Sequence, residues 1–158
     1  MMDDIEPTFN DQIRDCVLST YIVWGVTGQE SQYRDTLAYY LQQAGFTTTV
    51  EEPLFYPVAP GANTNCRDIG RMDIVVQREH NGVTEAVILE LKCKTNPNTR
   101  STLFDAKAQL QRYINNFRRF PFVCPGILIW FVPDRRPGFK TMLFPGEIRN
   151  TILAGGPV

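Results

Sequence analysis

The segment 86-AVILELKCK-94 is apolar for most of its length and then places Glu90 and Lys92 two residues apart. Successive side chains of a strand point to opposite faces, so residues two apart share one. Ala86 and Ile88 therefore lie on the face of Glu90 and Lys92, and Val87, Leu89 and Leu91 lie on the other. A half-exposed strand would alternate apolar and polar throughout. Here both faces start apolar, which predicts a central strand covered on both sides. The charges come where that buried strand opens. An unpaired buried charge is costly, so these two are expected to be paired, to bind a metal, or both.

The neighbouring strand lies just upstream. The run 71-RMDIVVQ-77 reads as a short strand, and 80-HNG-82 is a hairpin signal leading into 83-VTEAVILELKCK-94. Antiparallel pairing brings Asp73 beside Glu90. Two facing carboxylates repel unless a divalent cation lies between them, and oxygen ligands favour magnesium or manganese over zinc. The Lys92 ammonium could then hold or polarise a water at that ion.

Working outward, Ile13, Cys16, Val17, Thr20 and Trp24 recur at helical spacing. They predict a helix from about Asp11 to Trp24, capped by Asn10 or Asp11 and stopped at Gly25. A second helix in 27-TGQESQYRDTLAYYLQQAG-45 turns Tyr33, Leu37, Leu41 and Ala44 inward and ends at Gly45. A strand, 46-FTTTVEE-52, is interrupted by Pro53 and continues as 54-LFYPV-58, which suits a sheet edge. Segments 59–70 and 95–102 are loops. In 103-LFDAKAQLQRYINNFRRF-120, Ala106, Leu110, Tyr113 and Phe117 mark a helix ended by Pro121. The run 126-GILIWFV-132 is a buried strand, and after a turn at 133–138 the segment 139-FKTMLF-144 is the last strand. The expected architecture is one α/β domain over residues 1–158, a mixed β-sheet flanked by helices in the order α-β-β-β-α-β. Segments 1–10 and 145–158 are read as flexible or docking tails, the second as a possible contact for a protein partner.

A chain of 158 residues, 43% hydrophobic, is long enough to bury a core without disulfides. It holds no apolar run of membrane-helix length, and its start, 1-MMDDIEPTFNDQIRD-15, is acidic where a signal peptide is basic and then apolar. The expectation is a soluble, intracellular protein of cytoplasm or nucleus. Cysteines 16, 66, 93 and 124 form no CxxC pair and are read as free, mostly buried thiols. The net charge of −1 hides a gradient: seven acids precede residue 36, whereas residues 92–149 carry eleven Lys or Arg against three acids. Such asymmetry fits a polyanion-binding surface as well as it fits plain solvated charge.

Asp73 followed by 90-ELK-92 resembles the D…(D/E)xK signature of the PD-(D/E)xK nuclease superfamily. The elements 30-ESQY-33 and 108-AQLQRY-113 resemble those of its small GxxExxY group, although Thr27 stands where that group has its glycine. The resemblance implies a restriction-endonuclease-like core and a hydrolase that cuts phosphodiester bonds in DNA with Mg²⁺ or Mn²⁺, serving repair, recombination or processing. It makes Asp73, Glu90 and Glu30 metal ligands, with the Leu91 carbonyl as a further one. Lys92 becomes the catalytic lysine, and Gln109 and Tyr113 stand beside it. Thr27 and Glu30 also fit a capping box, which would give Glu30 a purely local role. Lys94, Arg100, Lys107, Arg112, Arg118 and Arg119 are candidate phosphate contacts, joined by Arg135 and Arg136 in a later turn. A homodimer embracing duplex DNA fits so short a core. The alternative function is a nuclease fold without turnover, serving as a nucleic-acid-binding or structural module.

Overall fold

The computed structural model describes residues 8–25, 27–55, 68–93, 100–131, 139–143 and 148–154. Helix α1 spans Phe9–Trp24. Its cap is Thr8, two residues before the expected one, whose Oγ1 accepts from the Asp11 amide at 3.2 Å. Phe9 is thereby helical and buried, so the segment expected to be an N-terminal tail is built into the fold from Thr8 onward. Helix α2, Glu30–Gln43, is capped by Gln29 and not by Thr27. The Gln29 amide donates to Gln32 Oε1 at 2.8 Å, while the Thr27 hydroxyl donates back to the Trp24 carbonyl at 2.8 Å. Glu30 is thus released from the capping role that its spacing allowed.

Strand β1, Thr47–Phe55, runs through Pro53 and lies at the edge of the sheet, the position where a strand tolerates proline. Strand β2, Asp68–His80, and β3, Val83–Cys93, form the expected hairpin. Asn81 and Gly82 both take positive φ, 52° and 77°, the two-residue turn whose twist matches that of the flanking strands. Helix α3, Arg100–Asn116, starts earlier than expected and stops four residues short of the expected end. Its last carbonyls are satisfied by side chains: Asn116 Nδ2 donates to Arg112 O, and Arg118 Nη1 donates to Ile114 O and Phe117 O. Strands β4, Gly126–Phe131, and β5, Phe139–Leu143, lie where the sequence placed them.

A sixth strand, β6 at Ile148–Ala154, was not expected. It enters the sheet between β4 and β5, giving the order β1-β2-β3-β4-β6-β5. Most of the segment read as a docking tail is therefore a paired strand, parallel to β4 and antiparallel to β5. The sheet is mixed, as expected, because β3 is antiparallel to β2 and parallel to β4.

Helices α1 and α2 cover one face through Ile13, Val17, Leu37 and Leu41 packed on Ile74, Val76, Leu89, Leu91 and Ile129. Helix α3 covers the other through Leu110, Tyr113, Ile114 and Phe117 packed on Val75, Ile88, Leu128 and Trp130. Each such side chain contributes about 1.5–3 kcal/mol by leaving water. With both faces covered, a charge in the buried stretch of β3, as at Glu90, has no wet side to turn to. Among the described residues, no helix is long and apolar enough to cross a membrane.

Candidate active site

Strands β2 and β3 pair from His80↔Val83 to Ile74↔Leu89, and there the ladder ends. Beyond it β2 stays with β1, while β3 stays with β4 as far as Cys93↔Phe131. Asp73 and Glu90 are the first residues past the split. The Leu91 amide donates to Asp73 Oδ2 at 2.7 Å, so a side chain takes the bond at the point where the two backbones part.

Glu90 is only 3% exposed, and among the described residues its Oε2 has no hydrogen-bond donor. Oε1 faces Lys92 Nζ at 3.5 Å. Lys92 Nζ donates to Gln109 Oε1 at 3.0 Å, and Gln109 Nε2 donates to the Tyr113 hydroxyl at 2.9 Å. Tyr113 is both core and site: its ring is buried against α3's side of the sheet, and its hydroxyl lies over Gly70 of β2. A Cβ at Gly70 would meet that oxygen at 2.7 Å, and φ there is 140°, so only glycine fits without displacing Tyr113. The chain Lys92–Gln109–Tyr113 joins β3, α3 and β2.

The acids perturb one another. Burial, then the charge of Asp73, pushes the Glu90 carboxyl up to about 9, against the pull of Lys92. Asp73 is pushed up to about 6 by burial, opposed by the Leu91 amide, with Glu30 raising it and Lys92 lowering it. Both groups sense Glu30, so the exposed N-terminal acid of α2 is close enough to act on this centre. The start of α2 is seated by Tyr33, which stacks on Phe131 at 4.2 Å and donates its hydroxyl to the Gly25 carbonyl at 2.7 Å.

A family model of the PD-(D/E)XK nuclease superfamily matches residues 7–142. The chain belongs to that superfamily. No curated protein and no solved structure matches it. The split sheet with helices on both faces is the restriction-endonuclease-like core expected of a PD-(D/E)XK protein, a superfamily whose members are usually nucleases using divalent cations.

The residues here fit such a cation. The donors are oxygens, two carboxyls lie side by side in the interior, and among the described residues no N–H or O–H of another side chain or the backbone reaches Glu90 Oε2, whose neighbour is the carboxyl of Asp73. Among the described residues, no three His, Cys, Asp or Glu side chains are gathered tightly enough to form a cage.

The basic candidates are dispersed. Arg119 is held by Glu52 of β1 at 2.9 Å and lies over the Phe120 ring, and Arg118 closes the end of α3. Lys107 and Arg112 lie on α3, half-buried and exposed respectively. Lys94, Arg135 and Arg136 lie outside the described residues, as does the side chain of Arg100. Two of the four cysteines, Cys16 and Cys124, are buried, and burial pushes their thiols up to about 11 and 12, which suits inert core residues. Arg34 and Glu51, joined across α2 and β1 at 2.7 Å, escaped the sequence reading. The one available signal was the four-residue spacing of Arg34 from Glu30.

Proposed function

We propose that this PD-(D/E)XK protein is a divalent-cation-dependent nuclease that hydrolyses phosphodiester bonds in DNA, in repair, recombination or processing. The observation that carries the reading is the buried, unpartnered oxygen of Glu90 beside Asp73. A stable fold without a ligand has no use for two abutting acids in its interior. Asp73 and Glu90 would hold Mg²⁺ or Mn²⁺, with the Leu91 carbonyl and Glu30 as further donors. The bound cation supplies a Lewis acid for the phosphate and a source of hydroxide near neutral pH.

The protein's own groups do the rest. An ammonium has three donors, and Gln109 engages one of them on Lys92. The others serve to orient the attacking water and to stabilise negative charge growing on the phosphoryl oxygens. Gln109 fixes the direction of Lys92, and Tyr113 fixes Gln109. Lys107 and Arg112 offer phosphate contacts on α3, with Lys94 and Arg100 as candidates beside it. The pairing of 30-ESQY-33 with Gln109 and Tyr113 supports a place in the GxxExxY group.

The test is cleavage of labelled single-stranded, duplex and branched DNA with magnesium, manganese or chelator, beside Lys92→Ala. Cutting should require the cation and fall roughly 100- to 1,000-fold in the variant. Undiminished cutting by Lys92→Ala would remove the assigned site. A folded protein that cuts nothing would turn the reading toward a binding module.

A further inference from the structure

Strand β1 changes face at Glu51. Residues three apart in a regular strand lie on opposite faces. Yet Thr49 and Glu52 both accept from Arg119 Nη1, at 3.5 and 2.9 Å. The partner strand does the same: Met72 and Val75 both pack under α3, while Ile74 between them packs under α1 and α2. Both reversals fall at one step of the ladder. Val50 pairs with Ile74 and Glu52 with Met72, but Glu51 and Asp73, which lie between, do not pair.

Glu51 has φ 50°, a left-handed backbone that costs an ordinary residue about 1–2 kcal/mol. Nothing in the local sequence asks for it, since 47-TTTVEE-52 is a good strand former. The kink is held from outside the strand. Arg34 Nη1 on α2 donates to Glu51 Oε1 at 2.7 Å, Arg34 Nε donates to Asp35 Oδ1 at 3.1 Å, and the guanidinium is close enough to sense the charge of Asp73. No residue is inserted, since the register is the same on both sides; the left-handed step instead turns the backbone over, drops one pair from the ladder and re-aims the side chains that follow.

We propose that the left-handed kink at Glu51, clasped by Arg34, is the positioning device that aims the Asp73 carboxylate into the active site. Without the kink, Glu51 and Asp73 would pair like the residues on either side of them, whose register is the same before and after, and Asp73 would keep a ladder place. With it, Asp73 is freed to receive the Leu91 amide of β3 and to stand beside Glu90. Glu51 and Arg34 thus act through Asp73 and not on the substrate. This rests on the reading of Asp73 as a cation ligand.

Two substitutions separate the backbone effect from the carboxylate. Glycine adopts positive φ freely, so Glu51→Gly keeps the kink and loses only the ion pair. A β-branched residue resists it, so Glu51→Val favours a regular strand. The primary readout is hydrogen exchange at the Leu91 amide, which needs neither cation nor DNA. Exchange there should be near that of the native protein in Glu51→Gly and roughly tenfold or more faster in Glu51→Val, with the amides of Val75 and Val87 unchanged. Titration with Mn²⁺ should follow the same order, native and Glu51→Gly binding more tightly than Glu51→Val. Arg34→Ala, which leaves β1 untouched, should shift both readouts in the direction of Glu51→Val and keeps the comparison open if that variant does not fold. Native Leu91 exchange and native Mn²⁺ affinity in Glu51→Val would overturn the inference, as would equal losses in Glu51→Gly and Glu51→Val. A native protein that neither binds Mn²⁺ nor cuts DNA, while Leu91 still responds to Glu51→Val, would overturn the nuclease reading and leave the aiming role of the kink standing.

Discussion

The two ends of the β2–β3 hairpin are built from the same pair of strands and treat charge in opposite ways. At the closed end, Asn81 and Gly82 complete the ladder, and the charges that face each other, Arg78 and Glu85, are of opposite sign and joined by an ion pair. At the split end the ladder stops, and the groups that face each other, Asp73 and Glu90, are both acids, taken out of water and so hard to ionise together. The first arrangement joins opposite charges in a half-buried pair and favours the fold. The second opposes folding until something positive arrives. The difference teaches where the hairpin is scaffold and where it is site.

Glu90→Gln tests that contrast most severely. The amide keeps the shape and removes the charge, so cleavage should fall roughly 100- to 1,000-fold while the cation-free protein melts at a higher temperature than the native one. A matched loss of activity and of stability would mean that Glu90 is an ordinary structural residue, and the two ends would be alike.

The same pair of acids predicts how stability depends on pH. Asp73 and Glu90 ionise from 3.8 and 4.5 in the unfolded chain, but only at about 6 and about 9 in the fold. Their folded values are raised, so the unfolded state releases their protons first. Their contribution is intact below about pH 4 and is lost progressively as pH rises toward 9. The gap in melting temperature between Glu90→Gln and the native protein should therefore widen from pH 5 to pH 9, and saturating Mg²⁺ or Mn²⁺ should close it. A gap independent of pH would place the two acids in water.

The smallest expected effect is at the closed end. Gly82→Val forces a β-branched residue into positive φ and should cost about 1–2 kcal/mol in denaturant melts, with cleavage per folded molecule unchanged. Loss of cleavage there would show that the two ends are coupled.

Much of this could be read in advance. The apolar run Ala86–Leu91 required a covered central strand, and the spacing of Glu90 and Lys92 required one face, because alternation is a property of the backbone itself. The Asn81–Gly82 turn followed from the residue types that tolerate positive φ. Where rules of composition met rules of tertiary contact, the sequence misled. Residues 148–154 looked like a tail because their pattern is weak, yet the vacant edge of β4 pairs them. For Arg118 and Arg119 the sequence was silent about their partners within the fold, because a charged helix end looks the same whether it meets solvent, nucleic acid or its own protein.

The sequence by itself determined the two-sided burial of β3, the hairpin that brings Asp73 toward Glu90, and the four-residue spacing that aligns Gln109 with Tyr113. Those are short-range consequences of backbone periodicity and turn chemistry. Only the tertiary structure decided that Gln29 and not Thr27 caps α2, that Lys92 rests on Gln109, and that Glu51 takes positive φ where Asp73 leaves the ladder. Each of these depends on which of several available partners comes within about 3 Å, and local preference carries no information about partners that arrive from distant parts of the chain.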